Sequence, residues 1–449
     1  MKAAAAAAVL GIAAAVAVLV TSRGPDPRGT SRPASETTTA PVASPAVAAA
    51  TAAERQRPAA TGGVAILDSA ARAQAVLVGV VSDVASTDLH GWRAVLRVDR
   101  KFLGDFRLGA TVTIGWEELS TTRQPRFANE QRVLLVLDAL PTQSLWRKRF
   151  AATERAAVLV VAGGGEAFLS EPGGPTLDLL EHYLAMTASA RAGIPGSRKL
   201  AEMVAGAHHA VAGEALTILE REPARVDLLE ADGAVPLLAA ARNSERDLEL
   251  RRGALRLAAD HKLPGALATA RTLSEAGSPI RAEAYRALAS FPDGLPLERV
   301  ESLVTDADPD VRVVGAALLR GDGARARLVS LLHADPAPTV RLAAGRELLT
   351  RDGAGAIDDV IGLLDDPDEA VRSGSAESIG AIGDPAVAPL RIVTDGGSER
   401  AALAAVLGLA RTGRKGGAML TAIAASHQRE SVRAFAGLAL GEAPSSHKH

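Results

Sequence analysis

Cysteine is absent from the 449 residues. That excludes disulfides, thiolate metal sites, iron–sulfur clusters and cysteine nucleophiles together. Aromatic residues are scarce, at 3%, so any core is built mainly from Ala, Leu and Val. Neither sign of charge prevails: 50 basic against 52 acidic side chains leave −2, with no general drive toward nucleic acid or an anionic membrane. What is present is hydrophobic residues, at 47%, enough for buried cores. At about 150 residues per domain the length allows roughly three units.

Met1-Lys2 precedes an uncharged, Ala-rich run of 18 residues from Ala3 to Val20. A short positive start and an apolar run are the marks of export, and the run also reaches the lower limit for spanning a bilayer. Ala15-Val16-Ala17 offers a small-x-small cleavage site inside it. Residues 1–22 are therefore expected to be a signal peptide or a membrane anchor, the chain's one contact with a membrane. Residues 23–63 hold Pro25, Pro27, Pro33, Pro41, Pro45 and Pro58 among Thr, Ser, Ala and Arg. No apolar period survives there, so ordering entropy is not offset and a disordered tether is expected. Its reach would be roughly 30–40 Å.

From residue 64 to 190 the period changes. After a lead helix over Val64–Ala73, the run Val76-Leu77-Val78-Gly79-Val80-Val81 has strand length and β-branched composition. Trp92, Ala94, Leu96 and Val98 alternate with Arg93, Val95, Arg97 and Asp99, as do Val112, Ile114 and Trp116 with their neighbours. Arg132–Leu137 and Val158–Val161 are two further apolar strands, and Gly163-Gly164-Gly165 predicts a hairpin into Glu166–Leu169. Six short strands predict a small antiparallel β-barrel, which removes exposed edges. Leu177, Leu180, Tyr183 and Leu184 then form the stripe of a helix.

This stretch resembles the netrin-like or TIMP-like branch of OB-type barrels of bacterial exported proteins. The resemblance rests on Leu77–Val81, Val98–Asp105 and Glu130–Leu137, with Asn129 where that pattern has a φ > 0 glycine. The protease-inhibiting disulfides and N-terminal cysteine of eukaryotic members have no counterpart here.

Internal repetition dominates residues 200–442. Val-Arg or an equivalent recurs at Leu250-Arg251, Ile280-Arg281, Val311-Arg312, Val340-Arg341, Val371-Arg372, Glu399-Arg400 and Val432-Arg433, with Arg spacings of 30, 31, 29, 31, 28 and 33. Small and aliphatic residues follow at helical spacing, as in Ala316/Leu319, Ala344/Leu348 and Ala376/Ile379; second helices are expected over Ala324–His333 and Ala356–Leu364. Asp308-Pro309, Asp335-Pro336, Asp366-Pro367 and Asp384-Pro385 predict Asp N-caps before a first-position Pro. No such unit buries its apolar face alone, so neighbours must stack. The units resemble short HEAT repeats of the phycobilisome-lyase type. The resemblance implies a turn ladder, placed on Asp308 with Arg312 and Asp366 with Arg372, and an inner, concave-lining position for the Val-Arg helix. Gly396-Gly397 and Glu399-Arg400 break the pattern.

Several constellations have simpler readings. Asp306–Asp310 and Asp365–Glu369 lack the Gly and distal Glu of a calcium loop and precede helices, where Asp caps. His208-His209 with Glu202 lacks the i, i+4 spacing of a helical zinc pair and reads as surface. Gly408–Lys415 misses a phosphate loop because Arg414 intervenes and no hydroxyl follows Lys415; it reads as a helix C-terminus. Arg147-Lys148-Arg149, flanked by Trp146 and Phe150, is the barrel's basic run, read as a solvated loop. No Gly-x-Ser-x-Gly element occurs.

The expectation is a multidomain α+β chain, a small antiparallel β-barrel followed by an α-solenoid of HEAT-like repeats and a polar tail over 443–449. No catalytic or metal-binding residue and no cofactor is assigned, and the binding residues are unknown. The expected function is a non-enzymatic scaffold or adaptor of the cell envelope, periplasmic or membrane-anchored, that binds an unidentified protein through its repeats and binds no nucleic acid. The alternative is an envelope enzyme or enzyme subunit, with a ligand or active site in the barrel and repeats that present a protein substrate.

Overall fold

The structure, a computed structural model, describes residues 66–87, 91–117, 125–140, 148, 150, 157–162 and 166–442. The expected export segment, the linker, the Gly163–Gly165 turn, the tail and most of the Trp146–Phe150 run lie outside them.

The first part comprises α1 (Ile66–Ala70), β1 (Ala75–Ser86), β2 (Gly91–Leu103), β3 (Thr111–Glu117), β4 (Arg132–Ala139), β5 (Val158–Val161) and β6 (Phe168–Ser170). Strand order is β1-β2-β3-β5-β4, closed by β1 against β4. The barrel therefore has five strands, not six. β6 lies outside the ring and pairs with β4 at Val133–Leu135, while β5 takes the same edge of β4 at Leu137–Ala139. Nor is the barrel wholly antiparallel: β3 and β5 run parallel, with Ile114 opposite Leu159. The long connection from residue 118 to 157 carries the chain through β4 before it returns beside β3, which permits that direction.

Sequence pattern follows the number of buried faces. In β2, Ala94, Leu96 and Val98 enter the barrel and Arg93 and Arg97 face out. β1 and β4 are covered on both sides. Leu77, Val133, Leu135 and Leu137 fill the barrel, whereas Val76, Val78, Leu134 and Val136 pack outward against helices. Hence their unbroken apolar runs. Gly79 sits at a register shift in β1, where a Cβ would lie 2.1 Å from the Arg97 carbonyl oxygen, so only glycine fits. The left-handed residue expected at Asn129 falls instead on Glu130, at φ 63°. Asn129 uses its side chain to accept the Val84 N–H, 3.1 Å.

The helices that follow are α2 (Gly174–Ala185), α3 (Ala188–Ala192), α4 (Ile194–Gly206), α5 (His209–Arg221), α6 (Pro223–Asp227), α7 (Ala231–Arg242), α8 (Leu248–Asp260), α9 (Ala266–Leu273) and α10 (Arg281–Ala289). Then come α11 (Leu297–Leu303), α12 (Pro309–Leu318), α13 (Ala324–Ala334), α14 (Pro338–Asp352), α15 (Ile357–Val360), α16 (Glu369–Gly380), α17 (Val387–Gly396), α18 (Glu399–Arg411), α19 (Arg414–Ser426) and α20 (Glu430–Glu442). The outer face of β1 and β4 shares one apolar core with α2, α4, α5 and α7. Glu214 of α5 accepts the Asp68 N–H at the start of α1, 3.0 Å, and Arg221 pairs with Asp68 at 3.2 Å. Burial pushes the Glu214 carboxyl up, against the opposing pull of the backbone N–H groups of Leu67, Asp68 and Ile66. Barrel and solenoid are thus fixed to one another.

From α8 onward each Val-Arg helix (α8, α10, α12, α14, α16, α18, α20) packs on the next, with a partner helix between. Ala316, Leu319, Ala344, Leu348, Ala376 and Ile379 are all buried, as their spacing implies. Contact is closest between α16 and α18, where a Cβ on Gly380 would stand 2.4 Å from the Gly408 carbonyl oxygen. The second helix expected over Ala356–Leu364 is instead split into two 3₁₀ turns around the four residues of α15. Of the four expected Asp-Pro caps, Asp308 alone is an N-cap, accepting the Asp310 N–H. α14 starts at Pro338 and α16 at Glu369, with Asp368 as the cap of the latter; Asp384 opens a 3₁₀ turn. Asp335 and Asp366 stand two residues before the N-cap positions and are engaged elsewhere.

Candidate functional site

An Arg–Asp ladder runs along one edge of the solenoid. Arg312 grips Asp335 of the following repeat in a two-pronged pair, Nε to Oδ2 at 2.8 Å and Nη2 to Oδ1 at 2.9 Å. Arg341 grips Asp366 with both distances 2.8 Å. Arg281 makes the preceding rung to Asp306. In the two-pronged rungs the guanidinium is aimed by its third nitrogen: Nη1 of Arg312 donates to the carbonyls of Asp306 and Ala307, and Nη1 of Arg341 to those of Asp335 and Pro336. The aspartates also accept a backbone N–H two residues on, from Asp308, Ala337 and Asp368. The pairing expected within a turn, Asp308 with Arg312 and Asp366 with Arg372, does not form. Helical rise carries each Arg toward the next repeat, so the partner is the Asp six residues before the following Arg.

The rungs are nearly dry, with side-chain exposures of 12% and 4% for Arg312 and Asp335. Burial raises the Asp335 and Asp366 carboxyls, but the bonds from Arg312 or Arg341 and from the backbone N–H groups outweigh it and hold both below the ordinary carboxylate value. A depressed folded-state pKa adds stability above the unfolded value and loses it as pH falls through the folded one. Unfolding free energy is therefore expected to drop as the pH is lowered below about 4. The doubly neutralised Asp335→Asn/Asp366→Asn variant should show a shallower fall, measured by urea titrations from pH 6 to 3. Equal slopes would remove the ladder from the account.

The ladder stops at Arg372. Six residues before Arg400 stands Thr394, wholly buried, its hydroxyl spent on the Leu390 carbonyl; six before Arg433 stands His427. His427 keeps the turn geometry of the missing Asp, its Nδ1 accepting the Arg429 N–H and its Nε2 bonded to the Thr394 carbonyl at 3.2 Å. Arg400, with no carboxylate ahead, turns back to Asp365, which Ser398 also contacts. The irregular unit at Gly396-Gly397 is thus the break in the ladder.

A groove of about 600 Å³ lies between α2 and α4 and is lined by Pro175, Asp178, Leu179, His182, Lys199 and Glu202, with Pro236 from α7. Its polar groups bond among themselves or to a neighbouring strand. Lys199 pairs with Glu202, Asp178 with Arg100 of β2 at 2.9 Å, and His182 Nδ1 bonds the Asp178 carbonyl.

The remaining candidates disperse. Glu202 is held by Lys199, away from the His208-His209 pair, whose rings stack at 4.0 Å. His208 is half-buried rather than a plain surface residue, because it N-caps α5. Burial, helped by His209 and Arg246, holds its imidazole below the ordinary range. Gly413 ends α18 at φ 84°, and Lys415 pairs with Asp384 at 2.7 Å. Among the described residues no group of three or more His, Asp or Glu is placed to hold a metal, and no helix is long and apolar enough to cross a membrane. His427 and the end of the ladder were the features that pattern alone missed; the residue six before each Arg was the signal.

No curated protein matches the chain. Residues 326–410, from within α13 to near the end of α18, match the family of HEAT repeats, a segment that holds the Arg341–Asp366 rung and the break beyond it.

Proposed function

We propose that this protein is a non-enzymatic adaptor of the cell envelope that binds a protein partner through its HEAT-repeat surface. The observation that carries the reading is the stack of Val-Arg helices, with ion pairs between successive repeats from Arg281 to Asp366. Stacked repeats of this kind present an extended surface suited to a protein. The N-terminal apolar run and the Pro-rich segment after it support a tethered, exported placement. The barrel order β1-β2-β3-β5-β4 with its parallel β3–β5 closure supports the OB-type, netrin-like reading. The short repeat spacing of 28 to 33 residues supports the phycobilisome-lyase-like form. The enzyme-subunit alternative needs a site in the barrel, whereas the groove lies outside it between α2 and α4, with its charges already paired to protein groups.

The test is in-cell crosslinking and affinity capture from membrane and periplasmic fractions. The full chain is compared with an Arg320→Glu/Arg346→Glu/Arg411→Glu variant, altered at exposed positions just beyond α12, in α14 and at the end of α18. A protein recovered with the full chain and at least tenfold less with the variant is the expected result. Equal recovery from both, or turnover of a small molecule by the purified chain, would overturn the reading.

A further inference from the structure

The broken rung leaves an aimed cation without its anion. Arg372 Nη1 donates to the carbonyls of Asp366 and Pro367 at 2.7 and 2.9 Å, the arrangement that fixes Arg312 and Arg341. In those two the fork of Nε and Nη2 then closes on a carboxylate of the next repeat. For Arg372 the next repeat supplies Thr394 in that place, already bonded to the Leu390 carbonyl. Asp365 and Asp366 lie within electrostatic reach. Asp365 is bonded to Ser398 and Arg400, and Asp366 to Arg341. Neither carboxylate bonds to Arg372, so among the described residues its fork has no partner. Arg372 is half-buried, which limits the rotamer entropy lost when a ligand arrives.

We infer that this broken rung is a carboxylate-binding site, where an acidic side chain of the bound protein takes the position that Asp335 and Asp366 fill in the complete rungs. A planar guanidinium fork matches a carboxylate through two parallel bonds, and Nη1 sets its direction beforehand, so the ligand completes a geometry the chain already builds twice. The inference rests on the adaptor reading and names the chemistry by which the repeats hold their partner.

The experiment records arginine Nε NMR signals of the full chain, with Arg372 assigned by Arg372→Gln and Arg341 by Arg341→Gln. The probe is the capped peptide acetyl-Ala-Asp-Pro-Ala-amide, which copies the rung turn. Expected is a saturable shift of the Arg372 signal with the Asp peptide, none with its Asn counterpart, and an unmoved Arg341. No shift at Arg372, or an equal shift at the exposed Arg411, overturns the site. Inorganic phosphate that displaces the peptide at lower concentration than acetate does would reassign it to a phosphate. Folding provides a control: Arg372→Gln, which loses only the two carbonyl bonds, should lower the melting temperature less than Arg341→Gln, which also loses the pair to Asp366. In the crosslinking experiment Arg372→Gln should cut capture of the partner at least tenfold. Full capture by Arg372→Gln together with loss in the triple variant would end this proposal and leave the adaptor reading standing. Capture unaffected by either variant would end both.

Discussion

Asp335→Ala is expected to lower the unfolding free energy of the solenoid by about 3–5 kcal/mol, the cost of breaking a buried ion pair from one side. The carboxylate is 4% exposed and serves three donors: Nε and Nη2 of Arg312 and the Ala337 N–H. Removing it strands Arg312, 12% exposed, with its guanidinium still pinned by the carbonyls of Asp306 and Ala307. Arg312 cannot swing out to water without losing those bonds as well. Asp335→Asn should cost less, since the remaining amide oxygen can still accept the Ala337 N–H. Arg400→Ala is the comparison that fixes the scale. Its pair with Asp365 is about half exposed on both sides, at 52% and 49%, and solvent screens such pairs until they contribute little. Urea denaturation followed by circular dichroism measures all three. If Asp335→Ala and Arg400→Ala shift the midpoint equally, the rungs do not hold the repeats in register.

The repeats were legible in the sequence because their cause is local. Val371 and Ile379 are one face of one helix, and a seven-fold recurrence of the same face admits little besides stacking. The ladder was legible in kind but not in partner, since Asp308 lies close to Arg312 along the chain whereas the actual partner, Asp335, stands in the following repeat. Which carboxylate a guanidinium reaches depends on the offset between successive hairpins, a tertiary quantity. Caps failed for the same reason: Asp335-Pro336 looks like a helix start, yet the carboxylate is drawn to Arg312 and α14 begins two residues after Pro336. In the barrel the strands were visible, and the two-faced burial of β1 and β4 explains why they read as apolar runs. The direction of β5 was not, because four residues carry no mark of parallel or antiparallel pairing. Arg372 illustrates the limit from the other side. Nothing in Val371-Arg372 differs from Val340-Arg341, and only the absence of an Asp at residue 394 shows that its fork stays open.

Trp116→Ala should be as costly as the broken rung, about 3–5 kcal/mol for a large side chain lost from a packed core. The indole is 1% exposed and meets Phe127 edge-on at 4.8 Å between ring centres, and Phe127 in turn meets Phe168 at 5.0 Å. In a chain with so few aromatics this trio fills much of the barrel, and the cavity left by Ala has little nearby bulk to collapse into it. The indole N–H has no hydrogen-bond partner among the described residues, so Trp116→Phe removes volume but no bond and should cost about 1–2 kcal/mol. The larger question is whether the loss stays in the barrel. Leu77 and Leu135 face Trp116's side of the sheet, while their neighbours Val76, Val78, Leu134 and Val136 belong to the core shared with α4, α5 and α7. Strands buried on both faces cannot loosen on one side alone. Calorimetry of Trp116→Ala should therefore show barrel and first repeats melting together at a lowered temperature. A separate early transition, with the helical signal unchanged until the original midpoint, would mean that the shared core does not couple them.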